Sequence, residues 1–265
     1  MNELFDLELF FESSPDFVCV AGRDGYFKKI NPSVSLTLGY DREKLLAHPF
    51  DFFIYSKDKE ITAKKMNKLN AGESLVNFDN RYVTRDGQLV WLSWSAILIK
   101  GSDLIFGIGK NITYQKKIEE YQRIANIMDN FEFSSRTNIK KIQSTGQEDQ
   151  PFQDILMSYA DQKWLGQLET IIRKYIGKIE VNLDLLSAEL AMSERQLFRR
   201  VKTTMGLTPN KYIRIVRFQL AQEALEKDKK HSLLEISRIA GFKTPGYFKK
   251  LFKEVYGVDI SDVLY

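Results

Sequence analysis

The chain has 265 residues, 43% hydrophobic and 28% charged, which suits two domains with a core in each. No apolar run reaches the ~18–20 residues of a membrane span; the single cysteine, Cys19, rules out an intrachain disulfide or a cysteine-rich zinc site, and His48 and His231 lie far apart with no HExxH spacing. The formal charge of +4 is uneven: residues 165–265 hold 18 Lys/Arg against 12 Asp/Glu, net +6, while 1–112 (14 against 15) and 113–164 (7 against 8) are each −1, so only the last third suits a polyanion.

The opening segment, with Leu4, Phe5, Leu7, Phe10 and Phe11, reads as an amphipathic cap helix or dimer contact. Its Glu3, Asp6, Glu8 and Glu12 would repel anionic lipid, and it lacks the basic start of a secretion signal. A cytoplasmic protein with no membrane partner is expected. Asp16–Ala21 and Tyr26–Ile30 read as paired strands around the turn Arg23-Asp24-Gly25. Asn31-Pro32 offers a side-chain cap and a first-turn proline for a short helix that Gly39 closes, and Asp41 can cap the next. Lys57–Asn70 is amphipathic, with Ile61, Met66 and Leu69 as its core contacts. Three further strands follow: Leu75–Thr84, Gln88–Leu98 and Leu104–Lys110. Trp91 and Trp94, three apart on one strand, face opposite sides of the sheet.

Tyr114–Asn130 turns helical. Ile118, Tyr121, Ala125 and Met128 make a stripe too narrow for a monomer core, which reads as the seam of a two-helix homodimer. Ser134–Asp149 is polar and reads as a flexible linker, and helix returns around Pro151–Ile176.

The last third is a run of helix signals. Ser193 with Gln196, and Ser232 with Glu235, fit the capping box. Thr208-Pro209 and Thr244-Pro245 pair an N-cap with a first-turn proline, and Gly206, Gly241 and Gly257 stand where helices stop. Short helices are expected near 183–191, 194–204, 233–239 and 245–255, with a longer one over 209–226. The order short helix, turn, basic helix occurs twice, which describes two helix-turn-helix units. In the first, Leu197 and Val201 face inward while Arg195, Arg199 and Lys202 point away. In the second, Phe248, Leu251 and Phe252 face inward while Lys249, Lys250 and Lys253 stay outside. There is no P-loop, GxGxxG or GxSxG, so no catalytic or metal-ligating residues and no enzyme are expected.

Residues 182–265 resemble the DNA-binding domain of the AraC/XylS family of bacterial transcription regulators. The matching strings are LSAELAMSERQLFRRVK, GLTPNKYIRIVRFQLAQEAL and ISRIAGFKTPGYFKKLFKEVYG. Val201 stands where Phe is usual, Ser187 and Ser237 where Ala is usual, and Ile260 where Pro is common. The resemblance implies an all-α domain of two helix-turn-helix subdomains, with double-stranded DNA and RNA polymerase as partners. Carried onto this sequence, it implies base contacts by Arg195, Arg199, Gly246, Lys249 and Lys250. It implies phosphate contacts by Ser193, Arg200, Lys202, Thr244 and Lys253. Pro245 and Gly246 offer no base-reading side chain where the family often has one, so the second reader is expected to be the weaker.

Residues 10–113 resemble a PAS sensor domain, through FESSPDFVCVAGRDGYFKKINPS, LGYDREKLLAHPFDF, RYVTRDGQLVWL and the closing Asn111-Ile112-Thr113. This implies an α+β fold, a five-stranded antiparallel sheet whose helical side can enclose a ligand. The cofactor stays unassigned beyond a small ligand in that cavity. The expected organisation is a PAS sensor over 1–113, a signalling helix and linker over 114–164, and a DNA-binding domain over 165–265. Together they would make a sequence-specific transcription regulator under sensor control. Two alternatives stay open: a haem or flavin photoreceptor, for which His48 and Cys19 are weak candidates, and an interaction module whose helix-turn-helix pair does not bind DNA.

Overall fold

The computed structural model describes residues 6–136, 159–227 and 231–264. The chain divides into two compact units, Met1–Lys116 and Lys117–Tyr265.

In the first unit α1 (Leu7–Ser13) is capped by Asp6, whose Oδ1 accepts from the Glu8 and Leu9 N–H groups, both at 3.0 Å. β1 (Phe17–Gly22) and β2 (Phe27–Ile30) form a hairpin. Then α2 (Pro32–Leu38), α3 (Arg42–Ala47), two short 3-10 turns and α4 (Lys59–Asn70) lead to β3 (Leu75–Val83), β4 (Leu89–Leu98) and β5 (Leu104–Asn111). Every pairing is antiparallel and the order is β2-β1-β5-β4-β3, so the last strand returns beside the first. All five expected strands are present, with ends shifted by a residue or so.

Period-2 alternation sets the layers. Val90, Leu92, Trp94 and Ala96 of β4 are buried under the helices, while Ser95 and Ile97 are exposed on the other face. Trp94 points inward and donates its indole N–H to Asn80 Oδ1 at 3.1 Å. Gly109 of β5 leaves room for it, since a Cβ there would lie 2.9 Å from the Trp94 ring. Trp91 faces the other way, 4.9 Å from the Arg81 guanidinium, as its spacing from Trp94 requires.

Three expectations for this unit are corrected. The Asp41 side chain makes no cap bond to α3. Asn31 does not cap α2. It is fully buried; its Oδ1 accepts from Val18 N–H at 3.0 Å and its Nδ2 donates to the Ser14 and Asp16 carbonyls at 3.1 and 2.8 Å. It therefore ties the start of β1 to the end of β2, because buried strand-edge groups need partners more than a wet helix end does. Ile61 is exposed, and the buried residue beside it is Thr62, whose hydroxyl donates to the Asp58 carbonyl at 2.7 Å.

α5 (Thr113–Arg136) begins in the first unit and continues into the second. The second unit then runs α6 (Tyr159–Tyr175), α7 (Leu183–Glu189), α8 (Glu194–Met205), α9 (Pro209–Lys227), α10 (Leu233–Ile239), α11 (Pro245–Tyr256) and a 3-10 turn at Ile260–Asp262. Its core joins Trp164, Leu168 and Ile172 of α6 to Leu197 and Val201 of α8, Ile215 and Phe218 of α9, and Phe248 and Leu251 of α11.

Tyr121, Ala125 and Met128 of the α5 stripe belong to that core, which corrects the dimer-seam expectation. Tyr121, Ala125 and Met128 are 2%, 1% and 2% exposed, and Ile118 is buried as well. Polar contacts fix the helix in place. Tyr121 donates its hydroxyl to Gln219 Oε1 at 3.0 Å, and Gln122 Nε2 donates to the Met205 carbonyl at 2.7 Å. Lys117 pairs with Glu169 and Lys211 with Asp129. A narrow apolar stripe needs one covering surface, and here the chain's own helices supply it. Residues 117–136 therefore count with the helical unit, not as a separate signalling segment. Residues 137–158, where the linker and the return to helix were expected to meet, lie outside the described residues, as do Leu4 and Phe5.

Candidate nucleic-acid interface

The two helix-turn-helix units are built alike. In the first, Asn182 caps α7 by accepting from Leu185 N–H at 2.9 Å. Ser193 and Gln196 close a capping box on α8. In the second, Ser232 and Glu235 do the same on α10. The turn bond repeats: Met192 N–H donates to the Ser187 carbonyl at 3.0 Å, and Phe242 N–H to the Ser237 carbonyl at 2.8 Å. Both turns pass through the left-handed region. The second uses Gly241, at φ +71°; the first uses Ala191, at φ +50°, at a cost of about 1 kcal/mol. Ser187 and Ser237, where alanine was the expectation, are buried and donate their hydroxyls to the Asp184 and Phe242 carbonyls.

α8 presents two exposed arginines on one side. Leu197 and Val201 are wholly buried and hold the helix against its partners. Arg195 and Arg199, four apart and therefore on one side of the helix, are exposed and make no ion pair or hydrogen bond among the described residues. Each guanidinium is free to meet guanine O6 and N7 bidentately. Ser193, at the head of the helix, is exposed and engaged in its capping box.

Other candidates are held by the chain itself. Arg200, expected at a phosphate, stacks 4.3 Å over Trp164 and reaches Asp161 at 3.4 Å. Lys202 donates to the Gly206 carbonyl at 2.8 Å, closing the end of its own helix. Lys249, expected at a base, donates to Ser261 Oγ at 2.7 Å and pairs with Asp259 at 3.3 Å. Lys250 and Lys253 are exposed along α11. Thr244 is extended and makes no side-chain cap, and Gly246 is exposed with open space where a Cβ would stand. The second helix thus offers cations and bare backbone where the first offers two free arginines.

The structure adds a basic groove beside the second unit that sequence reading missed, lined by Arg214, Arg217 and Arg238 among others. Arg217 was legible only as part of a family string, because the residues around it come from three separate stretches of chain.

In the first unit, α4, β3 and β4 surround an apolar cavity of about 50 Å3, lined by Cys19, Phe27, Met66, Tyr82 and Trp94 among others. Burial pushes the Cys19 thiol up to about 12. Tyr82 is a buried residue, and its hydroxyl makes no hydrogen bond among the described residues. His48 lies outside this cavity, with Nδ1 3.1 Å from the Lys44 carbonyl and its ring 4.8 Å from Phe52. Among the described residues no cluster of three His, Cys, Asp or Glu could hold a metal, and no helix is long and apolar enough to cross a membrane.

Comparison with known proteins places two domains on this geometry. A family model described as a helix-turn-helix domain matches residues 186–264, and one described as a PAS domain matches residues 15–114. The HTH-type transcriptional regulator MtrA of Neisseria gonorrhoeae is 36% identical over 106 residues, 39% of this chain and 34% of that protein. The HTH-type transcriptional activator RhaS of Escherichia coli is 30% identical over 84 residues, 32% of this chain and 30% of that protein. Histidine kinase P4 of Formosa agariphila is 28% identical over 165 residues, 62% of this chain but 12% of the kinase. The chain thus spans about a third or less of the length of these relatives. Among solved structures, the PAS domain of an HTR-like protein from Haloarcula marismortui is 27% identical and covers 40% of this chain and 88% of that one, with a TM-score of 0.36. The chain therefore joins a PAS domain to a helix-turn-helix domain of the AraC/XylS type.

Proposed function

We propose that the protein is a cytoplasmic, non-enzymatic transcription regulator, in which the PAS domain senses a signal and the helix-turn-helix domain binds double-stranded DNA and works with RNA polymerase. One observation carries this reading: Arg195 and Arg199 stand free on the exposed side of α8, while Leu197 and Val201 anchor its other side. The relatives named as transcriptional regulators, matching over 106 and 84 residues, support it.

The sensor half is suited to a small, mostly apolar molecule. About 50 Å3 holds a few heavy atoms, on a scale where one water needs 10–15 Å3, and Tyr82 offers it one hydroxyl. A homodimer is part of the reading, but through another surface. With the α5 stripe buried, exposed apolar groups that could meet a second copy include Ile97 and Ile108 on the outer face of the sheet and Leu7 and Leu9 on α1.

Arg199→Ala tests the DNA reading. It is expected to weaken binding to a preferred site by about 1–3 kcal/mol and to relax preference at one base pair, measured by titration against single-base variants. Equal loss on preferred and random DNA would make Arg199 a phosphate contact. A wild-type chain that binds neither would leave the interaction-module alternative.

A further inference from the structure

Between α9, the α10–α11 turn and residues 177–180 lies an open groove that contains Lys178, Arg214, Arg217, Arg238 and Lys243. These five cations face one carboxylate, Glu180, which is 3.6 Å from Lys243. Arg214 and Arg217 are partly buried, and Arg217 is the one with an unanswered donor. Its Nε is buried with no hydrogen-bond partner, and its guanidinium lies 5.9 Å from the Phe242 ring. Burial, and then the nearby Arg214, hold its pKa below the usual arginine value. A guanidinium keeps its charge even so. A half-enclosed cation with an orphan donor is costly unless an anion answers it.

The start of α11 adds to the positive potential. Thr244 gives no side-chain cap, Pro245 has no N–H, and the space beside Gly246 is open. The positive end of a 12-residue helix is therefore uncovered at the same groove, which Thr244 and Pro245 also line. Arg214 is bonded to the Tyr247 hydroxyl at 2.9 Å, which fixes one wall.

The anion that fits has several acceptor oxygens spread in three dimensions and more charge than a carboxylate. A guanidinium grips such a group bidentately while the rim cations take its remaining oxygens. We infer that this groove binds a phosphate group. Two sources share that chemistry: a DNA backbone phosphate beneath the second helix-turn-helix unit, which rests on the DNA-binding reading above, and a free phosphorylated molecule, which does not. A phosphate grip here would also give the second unit hold on DNA where Pro245 and Gly246 leave it little to read with.

The test uses the full chain as wild type, Arg217→Met and Arg238→Ala. Affinity for DNA is measured across a salt series, and thermal unfolding is followed with inorganic phosphate against chloride at constant ionic strength. Arg217→Met removes an unanswered charge, so without phosphate it should melt no lower than wild type; if it does not fold, Arg238→Ala, on an exposed side chain, carries the test. For a backbone phosphate, the slope of log affinity against log salt falls by about 1 in each variant, with equal loss on all sequences. For a free molecule, inorganic phosphate raises the wild-type melting temperature by several degrees and leaves Arg217→Met unmoved, even if no DNA binds. Unchanged salt slopes together with no phosphate-dependent stabilisation would overturn the inference.

Discussion

Met128→Asp is expected to unfold the helical unit. Met128 is 2% exposed and packs in the core that Trp164, Leu168 and Tyr212 share. Removing a buried methionine costs about 2–5 kcal/mol in lost burial and cavity formation. An unpaired carboxylate in its place adds several more. The sum is comparable to the 5–15 kcal/mol that holds a typical domain together. Circular dichroism should lose much of its helical signal near room temperature, and DNA binding should go with it. A two-helix dimer seam would give another outcome: a variant as helical and as heat-resistant as wild type, changed only in sedimentation. That result would return the α5 stripe to a dimer contact.

The second large effect lies in the sensor unit. Arg81 is sandwiched between Tyr55 and Trp91, 4.5 and 4.9 Å from its guanidinium carbon. Its Nε donates to Asp58 Oδ2 at 2.8 Å and a terminal nitrogen donates to Oδ1 at 2.5 Å, while the Arg81 backbone N–H also donates to Oδ2 at 2.8 Å. Asp58 is only 8% exposed. Hydrogen bonds from Arg81 hold the Asp58 pKa below the ordinary carboxylate value. Asp58→Asn keeps the shape but loses the charge and one acceptor, and should cost about 2–3 kcal/mol at pH 7. The sign with pH follows from the depressed pKa. The stabilisation is fully present above the ordinary carboxylate range and is lost as pH falls through the lower, folded value. Urea titrations followed by Trp91 and Trp94 fluorescence, in a Trp164→Phe background, should show wild type ahead at pH 7 and the gap closing in strong acid. Equal stability at pH 7, or a gap that widens on acidification, would contradict this account of the pair.

Much of the fold was legible because its signals are local. Strand alternation put Trp91 and Trp94 on opposite faces of the sheet, and Ser193 and Ser232 carry their capping partners three residues away. What was not legible depends on distant chain. The spacing of Tyr121, Ala125 and Met128 identifies an apolar face but not the surface that covers it, and here that surface comes from α6 and α9. Asn31 has the residue type and position of a cap, yet the buried ends of β1 claim its side chain. Arg200 and Lys249 look like free cations in sequence until Trp164 and Asp259 are folded against them. Arg195 and Arg199 were placed correctly on the exposed side of α8 because their helix and its buried face are both set within eight residues.

The helix that leaves β5 at Thr113 is the same helix whose Tyr121, Ala125 and Met128 complete the core beneath α8 and α9.

The most direct test of the central claim is selection of bound sequences from random double-stranded DNA by the 265-residue chain at fixed salt. The account predicts an enriched site with sharp base preference across one major groove, read by Arg195 and Arg199. About 10 bp away, under the second unit, preference should be weak. Recovery of unenriched DNA, or of two equally constrained half-sites, would contradict it.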